Sequence, residues 1–243
     1  MRIFIIRKKW LILFGLLILL SLLFFFGIQR VTRTSNNMIT LNKAIIVDAG
    51  HGGIDGGAVG RSGVKESEIN LKIALKLRTL LEQNGAVVLL TRDEDRGLYS
   101  DFGSIRNKKN EDLRKRKELV DSSQADLFVS VHLNSFPQSQ YYGAQTFYPQ
   151  NCEESKKAAE YIQEELIRVL DNGNNRVSKV KSDVYLLKYS SIPTVLVECG
   201  FLSNPAEEME LQKNKYQEKV AWSIYIGILR YFHENNDELS LME

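Results

Sequence analysis

The chain has 243 residues and a formal net charge of +2, from 32 basic and 30 acidic side chains. A charge this close to balance argues against a partner held by a strongly basic surface, so no nucleic-acid partner is expected. Apolar residues make up 44% of the chain and charged residues 26%, a composition that fits a folded globular protein and excludes a mainly disordered one.

The chain contains two cysteines, Cys152 and Cys199, which are too few for a disulfide framework. Cys199 lies inside a run of apolar residues, where a cysteine behaves as a small buried hydrophobic side chain. The sequence therefore predicts that no disulfide joins the two.

The first thirty residues differ from the rest of the chain. An uncharged run of about 19 residues extends from Trp10 to Ile28, with basic residues on both sides. As a helix it would span roughly 28 Å, close to the hydrocarbon thickness of a bilayer. A cleaved signal peptide would have a shorter apolar core and small residues before the cleavage site. We predict an uncleaved membrane anchor in residues 1–30, with everything after it outside the cytoplasm, in the cell envelope.

The remaining chain divides into a polar linker over residues 31–43, one α/β domain over 44–233 and a polar tail over 234–243. Apolar runs predict strands at residues 44–49, 87–91, 127–131, 146–148, 184–187 and 194–197. Apolar stripes at helical spacing predict helices around residues 69–81, 159–169 and 216–231. Apolar strands that alternate with amphipathic helices indicate a mostly parallel sheet covered by helices on both faces.

A long stretch between the second and third predicted strands, residues 92–123, is dense in charges of both signs. Mixed charge runs of this kind are typical of solvated loops and helix faces. Because the stretch follows a strand, part of it could also form a wall of a substrate groove.

Three histidines occur in the chain. His51 follows the first predicted strand in a glycine-rich turn, and His132 lies at the end of another predicted strand. Ligands of an open α/β sheet collect at the carboxyl ends of its strands, so these two histidines could share a metal site. His233 follows the last helix among charged residues and is expected to be a solvated surface side chain.

A hydrolytic zinc site commonly combines three protein ligands, here two histidines and a carboxylate, with one open position for water. The candidate carboxylates near the glycine-rich turn are Asp48, Asp55, Glu66 and Glu68. Acids in the first turn of a helix are also favoured by the helix dipole, without any metal. Spacing alone therefore leaves the choice among the four open.

Glu198 is a further acidic candidate because it lies inside an apolar segment that predicts a central strand. A buried carboxylate without a partner is costly, so an acid at this position should be paired, bound to metal or catalytic. A structural ion pair in the core is the alternative.

Together these segments resemble the zinc-dependent N-acetylmuramoyl-L-alanine amidases of the amidase-3 type. The matching segments, in family order, are VDAGHGG (47–53), VKE (64–66) leading into Ile69, LTR (90–92), ADLFVSVHLN (125–134) and LVECGFLSNP (196–205). Cys199 is one departure, since valine is more usual there, and the two side chains are both small and apolar.

The resemblance implies roles for particular residues. His51, Glu66 and His132 align with the zinc ligands, Glu198 aligns with the catalytic glutamate, and Glu68 does not align with a ligand. It also implies that the chain hydrolyses the bond between N-acetylmuramic acid and the L-alanine of the peptidoglycan stem peptide. It assigns no residue to substrate binding.

Finer features are similar to the spore-cortex, germination-specific branch of that family. They are the N-terminal anchor, residues 143–148, the extended loop before Arg114 and the ending at 227–232. This likeness implies removal of stem peptides so that muramic lactam can form in the cortex, and a role in germination.

Two other functions stay open at the level of sequence: another zinc peptidoglycan hydrolase, such as a carboxypeptidase, and a partner-dependent wall-binding protein. The sequence shows no internal repeat, and therefore no repeat module that would bind the wall. An activating or localising protein partner is for this reason also left open.

Overall fold

The computed structural model describes residues 15–25 and 39–240, with side-chain surroundings given up to residue 234. The chain forms two separate units, residues 1–39 and residues 40–243. In the first unit, residues 15–25 are helical (α1). The predicted anchor, residues 1–30 with its uncharged run over 10–28, extends beyond the described residues at both ends. Among the residues described, no helix has the length and hydropathy that crossing a membrane requires.

The second unit contains one six-stranded sheet. Its strands are β1 (Ala44–Ala49), β2 (Val87–Leu90), β3 (Leu127–Asn134), β4 (Gln145–Tyr148), β5 (Lys179–Val180) and β6 (Thr194–Phe201). They lie in the order β2-β1-β3-β6-β4-β5. The first four in this order are parallel, while β4 runs antiparallel to β6 and β5 runs parallel to β4. The predicted α/β domain with a mostly parallel sheet is confirmed.

Six helices flank the sheet. They are α2 (Glu66–Gln83), α3 (Ile105–Ser122), α4 (Glu153–Leu170), α5 (Tyr185–Lys188), α6 (Pro205–Leu211) and α7 (Asn214–Ser240). Helix α7 packs against both α2 and α4, which themselves contact the strands. Helices α3 and α5 contact each other, and their side chains Val120 and Leu186 pack on Ile46 and Phe128 of the sheet. The central strands are therefore covered on both sides, which explains their nearly continuous apolar sequences.

One expectation is corrected by the structure. Residues 184–187 were expected to form a strand, but the short helix α5 occupies this segment, and its Leu186 and Leu187 are buried. A short apolar run fits a buried strand and a buried helical turn equally well, so periodicity could not separate them. Most residues of the charged stretch 92–123 are exposed, as expected, but two of its arginines are buried: Arg92 and Arg116 are 1% and 2% exposed.

The two cysteines are free, and Cys199 is fully buried in β6. It fills space in the core, as its position in an apolar run indicates.

Candidate metal centre

The loop after β1 brings two imidazoles together. His51 adopts a left-handed backbone conformation with φ of 62°, and the preceding Gly50 donates its N–H to the Val131 carbonyl at 3.0 Å. A Cβ atom at Gly50 would lie 2.3 Å from Nε2 of His132, so only glycine leaves room for that ring. The two rings consequently approach to 4.8 Å between centroids, at an interplanar angle of 76°.

Glu66 is the first residue of α2 and is 3% exposed. Its Oε1 lies 3.2 Å from Nε2 of His51 and 3.0 Å from Nδ1 of His132. The carboxylate also accepts backbone N–H groups from Leu133 at 3.0 Å and Ala58 at 2.9 Å. These N–H groups and the helix N-terminus stabilise the negative charge, so the carboxylate is held rigidly between the two imidazoles.

The ligand atoms of His51, Glu66 and His132 all lie within 4.8 Å of one another. Two imidazole nitrogens and one carboxylate oxygen form the donor set of hydrolytic zinc sites, and three ligands leave a position open for water. The residues therefore fit a zinc ion.

The structure separates the four candidate acids that spacing left open. Asp48 is bound by an arginine, and the Glu68 side chain is exposed. Asp55 contacts Nδ1 of His51 at 2.9 Å and Nζ of Lys109 at 2.8 Å. A carboxylate on the second nitrogen of a ligating histidine orients the ring, and Asp55 is placed to do this for His51.

The acidic and basic side chains of this cluster shift each other's pKa. Burial lowers the pKa of His51, but hydrogen bonds with Asp55 and Glu66 outweigh it and raise that pKa to about 9. Burial raises the pKa of Glu66, but its hydrogen bonds with His132 and His51 hold that pKa far below its usual range. The ionised form of Glu66 is therefore stabilised by positive charge beside it, and a bound cation would supply such a charge.

Glu198 lies beside these three residues in β6, paired in register with His132 on β3. It is 9% exposed, and its Oε2 has no hydrogen-bond partner among the residues described. Burial raises the pKa of Glu198; His132 opposes this rise and Glu66 adds to it. A buried carboxylate without a fixed partner and with a raised pKa is suited to exchanging protons at a reacting centre.

A buried ion pair supports the loop that carries His51. Asp48, at 1% exposed, accepts hydrogen bonds from Thr91 Oγ1 at 2.7 Å, from Ser130 Oγ at 2.5 Å and from the guanidinium of Arg116. Arg116 also donates to the His51 carbonyl at 2.8 Å. Burial raises the pKa of Asp48, but Arg116 and the hydroxyl groups outweigh burial and hold that pKa near 2. Both partners are therefore charged.

Arg92 supports the same loop from the end of β2. Its guanidinium donates to the carbonyls of Ala49 at 2.9 Å, Gly50 at 3.1 Å and Ser67 at 2.8 Å. It thereby joins the loop after β1 to the first turn of α2, where Glu66 lies. Burial and the neighbouring Arg116 lower the pKa of Arg92.

A family model described as N-acetylmuramoyl-L-alanine amidase matches residues 45–230. The chain belongs to the N-acetylmuramoyl-L-alanine amidase family. The resemblance seen in the sequence motifs and the expected enzyme class are both confirmed.

Individual members of the amidase family are also similar to this chain. A germination-specific N-acetylmuramoyl-L-alanine amidase of Bacillus subtilis (strain 168) is 42% identical over 236 residues, which cover 95% of this chain and 98% of the relative. The CwlD amidase of Clostridioides difficile, solved in complex with the GerS lipoprotein, is 54% identical with a TM-score of 0.78. That match covers 79% of this chain and 99% of the solved one.

The catalytic domain of the CwlV amidase from Bacillus (Paenibacillus) polymyxa var. colistinus is a more distant structural relative. It is 32% identical with a TM-score of 0.67, and the match covers 79% of this chain and 98% of the solved one.

The supporting role of Arg116 in this amidase was missed at the level of sequence. Charged runs are usually solvated, and residues 105–122 contain many charges. A weak signal was present, since Arg116 lies four residues before the buried Val120 and therefore on the same face of α3.

Replacing Glu66 with glutamine should weaken zinc binding, because the change removes the charged oxygen between the imidazoles. We expect a loss above about 100-fold, more than the loss caused by altering a residue that only orients a ligand. Glu68→Gln, on the exposed side of the same helical turn, should bind zinc as the unaltered protein does. Competition titration against a chromophoric chelator measures both, and equal affinities for the two variants would contradict the assignment of Glu66.

Replacing Arg116 with glutamine should lower the free energy of unfolding by about 3–5 kcal/mol, because Asp48 would remain buried without its cation. The matched variant is Arg114→Gln on the same helix, whose side chain is 63% exposed and whose loss should cost less than about 1 kcal/mol. Urea denaturation followed by circular dichroism compares the two. Similar losses in both variants would show that the buried pair does not stabilise the fold.

Proposed function

We propose that the cluster of His51, Glu66 and His132 binds zinc, and that with Glu198 it hydrolyses the amide bond between N-acetylmuramic acid and the L-alanine of the stem peptide. One observation carries the proposal: three ligand atoms converge within 4.8 Å beside a buried glutamate whose Oε2 has no partner among the described residues. Structural acids in protein cores are normally paired, so Glu198 fits a catalytic role better than a structural one.

The chemistry of the site divides between the metal and the protein. Zinc, when bound, supplies Lewis acidity and lowers the pKa of a coordinated water toward about 7. Glu66 would neutralise part of the positive charge of the zinc ion, and Asp55 orients the ring of His51 through a hydrogen bond with Nδ1. Glu198 accepts the proton of the attacking water and then returns it to the alanine nitrogen, so that the amine leaves in neutral form.

The pKa shift of Glu198 supports this double role. Because burial raises the pKa of this carboxyl group, its protonated form is less costly than that of an exposed glutamate. A group that must first accept a proton and then donate it works best when neither form is strongly favoured.

We place the substrate in the spore cortex, where loss of the stem peptide leaves muramic acid free to form its lactam, and we infer a role in germination. The support is similarity to the germination-specific relative of Bacillus subtilis across 95% of the chain.

We also propose that residues 1–30 anchor the enzyme in the membrane with the catalytic domain on the outer side, on the basis of the uncharged run and its basic flanks.

A protein partner is part of the proposal. The CwlD amidase of Clostridioides difficile was solved in complex with the GerS lipoprotein. By that similarity, a lipoprotein partner could activate or localise this enzyme.

Digestion of purified peptidoglycan by the zinc-loaded protein tests the activity. We expect release of stem peptides with N-terminal alanine, loss of release after chelation and its recovery on addition of zinc. Mass spectrometry of the products separates the alternatives. Free terminal amino acids would instead indicate a carboxypeptidase, and binding to the wall without any product would indicate a wall-binding protein.

In the same assay, Glu198→Gln should retain zinc but lower turnover by about 10²–10⁴-fold, because the amide cannot accept the proton of water. Glu160→Gln, an exposed substitution on α4, is the matched control and should retain full turnover. Normal turnover by Glu198→Gln would refute the proton-transfer role while leaving the zinc assignment intact.

A further inference from the structure

A cavity of about 340 Å³ lies beside β4, on the side of the sheet edge formed by β5. Its lining includes the side chains of Gln145, Arg176 and Lys179 and contains no acidic residue. Two cations face a cavity without a counter-charge, so its electrostatic potential favours an anion.

Arg176 is held in one orientation by uncharged groups. Its Nε donates to the Tyr142 carbonyl at 2.7 Å, its Nη1 donates to Gln145 Oε1 at 3.0 Å, and the guanidinium lies 4.6 Å from the centroid of the Phe201 ring. Among the described residues, no carboxylate forms an ion pair with it. An arginine fixed in this way keeps N–H groups for a planar anion, and the carboxylate is the anion that matches their geometry.

The nearby acid Glu207 interacts electrostatically with Arg176, but among the described residues the two form no ion pair. Its carboxylate accepts the backbone N–H groups of Phe201 at 2.8 Å and Gly143 at 3.0 Å. Its charge is thus already solvated by the backbone, and it is not among the residues that line the cavity.

Gln145 lines the cavity and is also the strand neighbour of Glu198, which lies beside the candidate metal centre. This residue pairs in register with Glu198 on the antiparallel neighbour β6, so the two side chains project from the same face of the sheet. Gln145 also accepts from Arg176 through Oε1 and donates through Nε2 to the Val177 carbonyl at 2.8 Å. Lys179 continues this face on β5, opposite Phe147.

We propose that this cavity binds a carboxylate of the stem peptide beyond the first alanine, mainly through the guanidinium of Arg176. This contact would position the scissile amide at Glu198. The inference rests on the proposed function and adds a specificity site to it. Arg176 is a substrate-positioning residue: it takes no part in the proton transfer, and its contribution is to binding and alignment.

Two soluble muramyl-peptide substrates test the inference, one with free carboxylates in the stem and one with these groups converted to amides. The unaltered enzyme should show a kcat/KM at least about tenfold higher for the free acid, mainly through a lower KM, because charge-assisted hydrogen bonds are lost on amidation. In Arg176→Gln the kcat/KM values for the two substrates should become equal.

Matched variants separate a specific loss from a general one. Arg176→Lys should restore part of the preference, since it keeps the charge but loses the planar fork. Arg168→Gln, an exposed arginine on α4, should retain the full preference. The inference is overturned if the unaltered enzyme does not distinguish the substrates, or if Arg176→Gln still does.

A binding measurement keeps this test independent of turnover. Calorimetry with the released stem peptide, free or amidated, should show the same tenfold preference in the unaltered protein and none in Arg176→Gln. Preference in binding without hydrolysis of either substrate would retain the cavity and reject the proposed activity. Hydrolysis of both substrates without any preference would support the proposed activity and reject the role of the cavity.

Discussion

The ion pair between Asp48 and Arg116 is the interaction on which the site depends. Two opposite charges are placed in the core, where a cation removed from its carboxylate would be costly. Their mutual attraction fixes the end of β1 to α3, and Arg116 extends the same contact to the His51 carbonyl. Since His51 has a left-handed backbone, which non-glycine residues seldom adopt without support, this contact holds the imidazole where a metal ligand is needed.

The candidate centre joins elements that are distant in sequence. His51 comes from the loop after β1, Glu66 from the start of α2 and His132 from β3, so the fold must form before the ligand atoms can meet. Zinc bound to these residues would therefore stabilise the folded chain as well as serve catalysis. Glu198 remains outside this set of mutual hydrogen bonds, which leaves its carboxylate free to exchange protons.

Local sequence patterns predict several residues of the site, whereas others can be identified only from their contacts in the folded chain. The strand that carries Glu198 was predictable because its neighbours are apolar, and His51 and His132 were expected near strand ends. Spacing could not choose Glu66 over Glu68, because both open the same helix and only packing shows which is buried. The burial of Arg92 and Arg116 was missed for a similar reason, because the partners of a charged side chain can be identified only in the folded chain.

Zinc-edge anomalous diffraction from crystals of the zinc-loaded protein would show directly which residues bind the ion. We expect one strong anomalous peak at about 2.0–2.2 Å from each of three atoms: Nε2 of His51, Nδ1 of His132 and a carboxylate oxygen of Glu66. Glu198 should lie beside the ion without binding it. A peak coordinated by Asp55 or by Glu198 in place of Glu66, or no peak at this cluster in catalytically active crystals, would rule out the proposed zinc ligands.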